Sequence, residues 1–460
     1  MSEWKKVKIG DVCKIVKGTT GIASAVPGEF PLVVTAVERK TCSTYQFDCE
    51  AVCIPLVSSS GHGKKSLNNV HFQSGKFALG TILCAVIPNN PDELDARYLH
   101  QYLQFYKDTV LVPLMKGAAN VSLSMKDIAG VEVPLPPIKK QCELSAMFVS
   151  LQEKSLEFKK ETDKQVEYVK LLRQNILQEA IEGKLTAAWR KQHPVQKGDP
   201  DYDAEALFEQ IQNEKYHTDL FAPNGAHAKK AKSVSSEPIR VTRKEKSLPP
   251  ITEDEIPFEI PTGWKWVRLG EIVENITSGS REWAKYYSDT GAIFLRMGNL
   301  SRESYELRLD NIQHVRVPES SEGKRTRLLP FDLLFSITAE IGNLGLIPKD
   351  FPEAYINQHT ARIRFAQLVK QSLYFANALL APGIRKLYLP NAHGMKNSFR
   401  LDTLSFIPIP LPPLAEQKEI VARVEKHLQT ITQLETQIAT RESLTKQLMQ
   451  GLLKDTFAER

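Results

Sequence analysis

Apolar residues in this chain follow two patterns. Over two long stretches they recur at alternating steps of three and four. Leu144, Phe148, Leu151, Phe158, Val169, Leu172 and Ile176 mark the first stretch. Ile420, Val424, His427, Leu434, Thr445, Leu448 and Leu452 fall on them at one constant offset, the offset of Pro410 from Pro134. Such spacing draws the seam of a helix that packs lengthwise on another helix. Residues 134–141 read PLPPIKKQ and residues 410–417 read PLPPLAEQ. Proline is tolerated before a helix and in its first turn but not inside it, so each PLPP marks a helix entry. Roughly 45 residues at about 1.5 Å rise give a helix of about 65 Å, far longer than ordinary globular helices. The polar seam positions Ser155, Thr162, Gln165, His427, Arg441 and Thr445 align about equally badly in parallel and antiparallel pairing. The pattern alone therefore leaves the direction of pairing open.

Elsewhere the apolar runs are short and punctuated by Gly, Ser, Asn and Pro, which predicts strands and loops. Phe30 to Val34, Val52 to Val57 and Phe77 to Val86 are such runs, followed by a helix near 93–107. The order returns with strands near 293–297, 332–338 and 360–365 and a helix near 367–381. WKKVKIGDVC at 4–13 matches WKWVRLGEIV at 264–273, and Gly117-Ala118-Ala119-Asn120 resembles Gly394-Met395-Lys396-Asn397. The chain thus reads as two copies of one unit, a variable domain and then a long helix. The expected division is a first domain at 1–133, a first spacer helix at 134–183, a helix plus linker at 184–260, a second domain at 261–409 and a second spacer helix at 410–460. Each variable domain is expected to be mixed α/β with a twisted, partly barrel-like sheet, so the whole is α+β. Tyr202 to Lys215 predicts an amphipathic helix. The basic run His227 to Lys246 reads as a solvated linker, with a phosphate-contacting arm as its rival.

At 460 residues, 42% hydrophobic and 25% charged, the composition is that of a globular protein of two or more domains. No run of about 18 apolar residues occurs and MSEWKKVKIG lacks a hydrophobic signal core, so a cytoplasmic location is expected. The net charge of +6 is compatible with a polyanionic partner without demanding one. The cysteines, from Cys13 to Cys142, all lie in the first repeat without zinc-ligand spacing, and read as free thiols. Gly61 to Ser66 lacks the glycine and hydroxyl positions of a Walker loop, and no GxGxxG, HExxH or GxSxG motif stands out. Glu93 and Asp95 fit the acidic start of a helix. The chain reads as a binder that holds no metal or cofactor of its own.

Three tracts together are specific. They are Ile407 to Gln417 (IPIPLPPLAEQ), Pro261 to Gly270 (PTGWKWVRLG), and Glu182-Gly183-Lys184-Leu185-Thr186 leading to Trp189-Arg190. With two variable domains alternating with two helices, the chain closely resembles the specificity (S) subunits of type I restriction–modification systems over nearly its whole length. The first copy departs from the pattern, with Ile138-Lys139-Lys140-Gln141 in place of LAEQ and no Pro-x-Gly before Trp4. The resemblance implies two target recognition domains, each reading one half of a bipartite, asymmetric double-stranded DNA target. It implies two helices forming an antiparallel coiled coil that sets the spacer, with pseudo-two-fold internal repetition. It also implies methyltransferase (M) subunits that methylate adenine and restriction (R) subunits that cleave, with S-adenosylmethionine, ATP and Mg on those partners. Reading heads on one face of a duplex sit about one helical turn apart, roughly 34–36 Å.

Base reading needs Arg, Lys, Asn, Gln, Ser or Thr on loops that reach a groove. In the first domain the candidates are Thr19, Thr20, Arg39, Lys40, Ser59, Ser60, His62, Lys64, Lys65 and Lys116. In the second they are Ser280, Arg281, Arg296, Asn299, Lys324, Arg325, Arg327, Thr338 and Asn343. Ser58 to Lys65 and Ser336 to Asn343 are expected to be counterparts, as are Thr19–Thr20 and the Ser278 to Arg281 loop. For each residue a solvated surface role competes. For the chain, the rival readings are a duplicated coiled-coil scaffold binding protein or carbohydrate, and a methyltransferase or nuclease with an unrecognised catalytic site.

Overall fold

A computed structural model describes residues 4–60, 63–221, 248–279, 281, 283–317, 326–389 and 399–457. The chain divides into two compact units, one of residues 1–165 with 437–460, the other of residues 166–436. The first unit's head contains β1 (Lys5–Lys8), β2 (Cys13–Lys17), β3 (Phe30–Val33), β4 (Lys40–Cys42), β5 (Phe47–Asp48), β6 (Ala51–Pro55), β7 (His71–Gln73), β8 (Lys76–Leu79), β9 (Leu83–Pro88), a helix at Ala96–Val110 and β10 (Glu132–Leu135). The second unit's head contains β11 (Lys265–Arg268), β12 (Val273–Ser278), β13 (Tyr287–Ser288), β14 (Ala292–Leu295), β15 (Gln313–Val315), β16 (Leu333–Ser336), β17 (Leu344–Leu346), β18 (Ala354–Ile356), β19 (Thr360–Phe365), helices at Tyr374–Leu380 and Pro382–Tyr388, and β20 (Pro408–Leu411).

The two heads share one plan. The first has an antiparallel sheet in the order β2-β9-β6-β7 and the second has β12-β19-β16-β17. Each also has a four-stranded sheet with one parallel pair, β3 with β8 and β14 with β18. They differ at an edge, where β5 joins β8 in the first head and β13 joins β15 in the second. The expected barrel-like sheet is thus resolved into two separate sheets. Strand β6 is buried along its whole length, as a short continuous apolar run predicts. The run Phe77 to Val86 is broken at Gly80-Thr81-Ile82, where Gly80 N donates to Val33 O (3.0 Å) and Leu83 N to Gly80 O (3.0 Å). The expected helix at 367–381 is shorter, beginning at Tyr374 and interrupted before Pro382.

Both ends of each head meet in a two-stranded ribbon. Strand β1 pairs with β10, Lys5 opposite Leu135, and β11 pairs with β20, Lys265 opposite Leu411. The first half of each PLPP is therefore strand, and the second half leads into helix. Proline lacks a donor and suits such an edge. Buried tyrosines at equivalent positions of the repeat fasten the two ribbons identically: Tyr98 Oη donates to Pro134 O (3.0 Å) and Tyr374 Oη to Pro410 O (2.9 Å). The glutamine that closes each motif does the same for the helix entry. Gln141 Nε2 donates to Pro136 O (2.8 Å), and Gln417 Nε2 to Pro412 O (2.9 Å).

The long helices span Ile138–Ile181 and Leu414–Phe457, 44 residues each. Contacts within each unit show them running in opposite directions. In the first unit Arg441 lies over the Phe158 ring (5.4 Å) and donates to Gln165 Oε1, while Leu453 packs on the core holding Leu144 and Phe148. In the second, Arg173 pairs with Glu435 (3.3 Å) and Arg423 donates to Leu185 O. The first helix follows its expected seam except at Leu172, which is exposed. The second keeps four of its seven expected positions. Ile420 and Val424 are buried and Thr445 and Leu452 half-buried, but His427, Leu434 and Leu448 are exposed, and Ile431, outside the expected seam, is buried. Leu428 beside His427 is half-buried, and the exposed Glu435 beside Leu434 is ion-paired with Arg173. A helix of 3.6 residues per turn drifts against a strict heptad, so a register copied from one helix need not hold on its partner.

The expected helix at Tyr202 to Lys215 is present as Ala204–Phe221. The basic run from His227 to Lys246 lies outside the described residues, as does Gly394 to Asn397. Among the described residues no helix is long and apolar enough to cross a membrane.

Candidate nucleic-acid interface

Antiparallel order places particular loops at one end of each central sheet. In the first head these follow β2, follow β6 and precede β9; in the second they follow β12, follow β16 and precede β19. Equivalent glycines let the loops close. A Cβ on Gly18 would lie 2.2 Å from Gly80 O, and one on Gly279 would lie 2.1 Å from Ile356 O. The expected correspondences, Thr19–Thr20 with the loop at Arg281 and Ser58–Lys65 with Ser336–Asn343, therefore fall on matching strand ends.

In the first head the loop after β6 is knitted by its serines. Ser58 Oγ donates to Lys64 O (2.5 Å) and accepts from Ser66 N (3.2 Å), Ser60 Oγ meets Ser66 Oγ (2.7 Å), and Ser59 Oγ accepts from Asn68 N (3.0 Å). That knitting leaves Lys64 and Lys65 exposed. A distant segment is stitched beside them, Ser58 N donating to Val121 O (2.9 Å), and it carries the exposed run Gly117 to Asn120. Lys116 at its start is ion-paired with Asp127 (3.2 Å), whose carboxyl the Ser124 hydrogen bond and Lys116 hold below its usual range. Thr19 is exposed, its N–H and hydroxyl both donating to Gln46 Oε1 (3.0 Å each). Thr20 is bound through its backbone to Leu79 and Thr81.

Arg39 is withdrawn from any groove. Its guanidinium donates to Gln73 Oε1 (3.1 Å), Val37 O (3.1 Å) and Phe72 O (3.2 Å) and meets His71 Nδ1 at 3.2 Å. Burial first, and then Arg39, lowers the His71 pKa to about 4, so this ring is neutral. Lys40, on β4, is exposed.

In the second head Asn299 and Asn343 are structural, correcting their expected role as readers. Asn299 is buried, Oδ1 accepting from Arg296 N (3.0 Å) and Nδ2 donating to Arg308 O (2.8 Å) and Asn311 O (3.0 Å). Asn343 is buried too, and closes the turn after β16 by donating from N to Ser336 Oγ (2.8 Å) and from Nδ2 to Glu340 Oε2 (3.0 Å). Short polar side chains in tight turns commonly satisfy backbone in this way, so residue type alone does not mark a reader. Arg281 and Arg327 are exposed, Arg327 lying 3.8 Å from Glu353, and Arg296 is half-buried. Thr338 pairs with His359 (Oγ1 to Nδ1, 2.9 Å). His62, Ser280, Lys324 and Arg325 lie outside the described residues. Two groups escaped the sequence reading. Gln358 and His359, in the polar tetrapeptide Asn357 to Thr360, sit at the same sheet end as Thr338. Lys285, Tyr287 and Arg316 line an open cleft of about 530 Å³ along β13 and β15.

Comparison with known proteins places this geometry. A family model described as the type I restriction modification DNA specificity domain matches residues 1–168 and again residues 261–441, one match on each repeat. The chain belongs to that family. It is 28% identical over 285 residues to the type I restriction enzyme EcoAI specificity subunit of Escherichia coli, covering 59% of this chain and 42% of that protein. Its likeness to the EcoEI specificity subunit of the same organism is 25% over 296 residues, covering 61% and 44%. The matches thus span less than half the length of these relatives. Among solved structures, the HsdS subunit from Thermoanaerobacter tengcongensis aligns over 99% of this chain and 97% of its own, with a TM-score of 0.52 at 18% identity. A chain from a structure addressing assembly and conformational transition of the type I R-M system aligns over 99% and 98%, with a TM-score of 0.60 at 18% identity. At that identity the likeness speaks for the fold.

Within this family framework the junction motifs acquire a physical reason. Glu416, of LAEQ, is buried and accepts from Thr186 Oγ1 (2.7 Å), Arg190 Nη1 and Trp264 Nε1 (2.7 Å). One carboxylate thus joins the start of the second long helix, the tract after the first and the start of the second head. A buried charge is tolerable only when paired and hydrogen-bonded, which fixes all three partners. The departure of the first copy is equally plain. Lys140 occupies the position in PLPPIKKQ that Glu416 holds in PLPPLAEQ, and forms an exposed pair with Glu143 (3.3 Å).

Proposed function

We propose that this chain is the DNA-reading subunit of a type I restriction–modification complex. Each head reads one half of a bipartite, asymmetric target, and the paired long helices set the unread gap between the halves. The observation that carries this reading is the pair of heads with one strand order, divergent loops and a specificity-domain match on each. A repeated scaffold with altered loops is how one fold presents two different base-contacting surfaces. Methyltransferase subunits docked on this chain supply S-adenosylmethionine-dependent adenine methylation, and restriction subunits supply ATP- and Mg-dependent cleavage. The chain itself is non-catalytic and works in the cytoplasm.

The exposed lysines of the first head fit phosphate contacts, which position a protein on a duplex without reading sequence. The test is base-resolution mapping of methyladenine in cells expressing the neighbouring methyltransferase with and without this chain. A bipartite motif with a fixed gap, lost when the chain is omitted, is the expected result. Methylation that persists unchanged without it would overturn the reading in favour of a protein- or carbohydrate-binding scaffold.

A further inference from the structure

The side chains of Thr338, His359 and Gln358 form a continuous hydrogen-bonded line. Thr338 Oγ1 is 2.9 Å from His359 Nδ1, and Gln358 Nε2 is 2.9 Å from His359 Nε2. The backbone around this line is held from several sides. Ile337 N donates to His359 O (3.0 Å), and His359 N donates to Asn357 Oδ1 (3.1 Å). The Ser336 hydroxyl spans the turn that bears Thr338, donating to Glu340 O and accepting from Asn343 N. That turn also contains Ala339 in the left-handed region (φ +55), a conformation a non-glycine residue keeps only where its surroundings impose it. All three side chains are half-buried, neither sealed in the core nor freely solvated.

A neutral imidazole carries one proton, and that proton dictates both ends of the line. With the proton on Nδ1, the ring donates to Thr338 and accepts from the Gln358 amide. The threonine hydrogen is then released to donate elsewhere, and Gln358 keeps one N–H and its carbonyl oxygen. With the proton on Nε2, the ring donates to the Gln358 oxygen and accepts the Thr338 hydroxyl hydrogen. Threonine is then left with lone pairs only, and Gln358 with its NH₂ group. Each state presents a matched pattern of donors and acceptors, and a pattern of that kind is what distinguishes base edges in a groove.

We propose that Thr338 and Gln358 are specificity-determining residues of the second head, and that His359 is the positioning residue that sets their hydrogen-bonding polarity. This rests on the DNA-reading function proposed above. The test maps methyladenine motifs for the full chain, with its methyltransferase partner, carrying Thr338→Val, Gln358→Leu or His359→Ala. All three are expected to relax or change the same position in one half-site, at least tenfold in relative methylation of the variant letter. The other half-site and the gap stay as in the wild type. Thr338→Ser keeps the hydroxyl and is expected to keep the wild-type motif. An unchanged motif in all three variants overturns the assignment, as do changes scattered over both half-sites. Loss of methylation in Thr338→Ser as well as Thr338→Val marks a structural role and also overturns it. A wild-type chain that directs no bipartite motif overturns the DNA-reading function itself, so the two failures are distinguishable.

Discussion

At the scale of single residues, the structure separates polar side chains that hold the heads together from those left to meet a ligand. Glu416 belongs to the first kind. Glu416→Ala strands the Arg190 guanidinium and the Trp264 N–H, and removing one partner of a buried pair costs roughly 3–5 kcal/mol. A correspondingly lower urea midpoint for the second unit is the expected measurement. His71 gives a pH signature in the first unit. Its pKa lies near 4 in the folded head against 6.5 for an unhindered histidine, so the unfolded chain binds the extra proton first. Stability of that unit is expected to fall as pH drops from about 6.5 to 4, and His71→Gln flattens the dependence in urea titrations at successive pH values. Glu255 behaves oppositely in origin though not in sense. The Arg268 hydrogen bonds draw its pKa down to about 2, so its contribution is complete above about pH 4.5 and is lost as pH falls towards 2. Glu255→Gln should therefore destabilise the second unit at pH 6 and cease to matter near pH 2. Little of this was legible in the chain, since Arg39 and Asn343 have the composition of DNA readers and only their neighbours show that their donors are already spent.

At the scale of elements, periodicity served best where burial is continuous. The run Ala51–Pro55 and the strand Thr360–Phe365 lie where their apolar character puts them, and both long helices start directly after their prolines. Periodicity failed where a seam is shared between two partners. Nothing in the second helix by itself says that Leu428, and not His427, is the half-buried one, or that the exposed Glu435 meets Arg173, because both depend on the helix opposite. The distinction is measurable. Ile431→Ala removes a buried side chain and is expected to cost about 2–5 kcal/mol. Leu448→Ala, at an exposed position, is expected to stay within about 0.5 kcal/mol. Equal effects in thermal or urea unfolding would count against the observed register. The sheets were legible only as strands, because parallel pairing of β3 with β8 joins residues far apart in the chain and leaves no local signature.

At the scale of the whole molecule, the two copies are alike in their fastenings and unlike in their loops. Tyr98 and Tyr374, and Gln141 and Gln417, do the same work at the same interval, whereas the loop after β6 runs from Leu56 to Val70 and that after β16 only from Ile337 to Asn343. Adding one heptad to both long helices is expected to lengthen the gap in the methylated motif and leave the letters of both halves untouched. Altered letters in that variant would show that helices and heads are not independent. The ribbons β1–β10 and β11–β20 carry a consequence for inheritance. Because the first and last strands of a head lie side by side, whatever is encoded between them enters and leaves at one doorway. Two genetic crossovers, one in each strand of a ribbon, exchange a whole vocabulary without rewriting the grammar. On the proposed reading, one such exchange gives the chain a new half-site while the sequence of the other head and of both helices stays as it was.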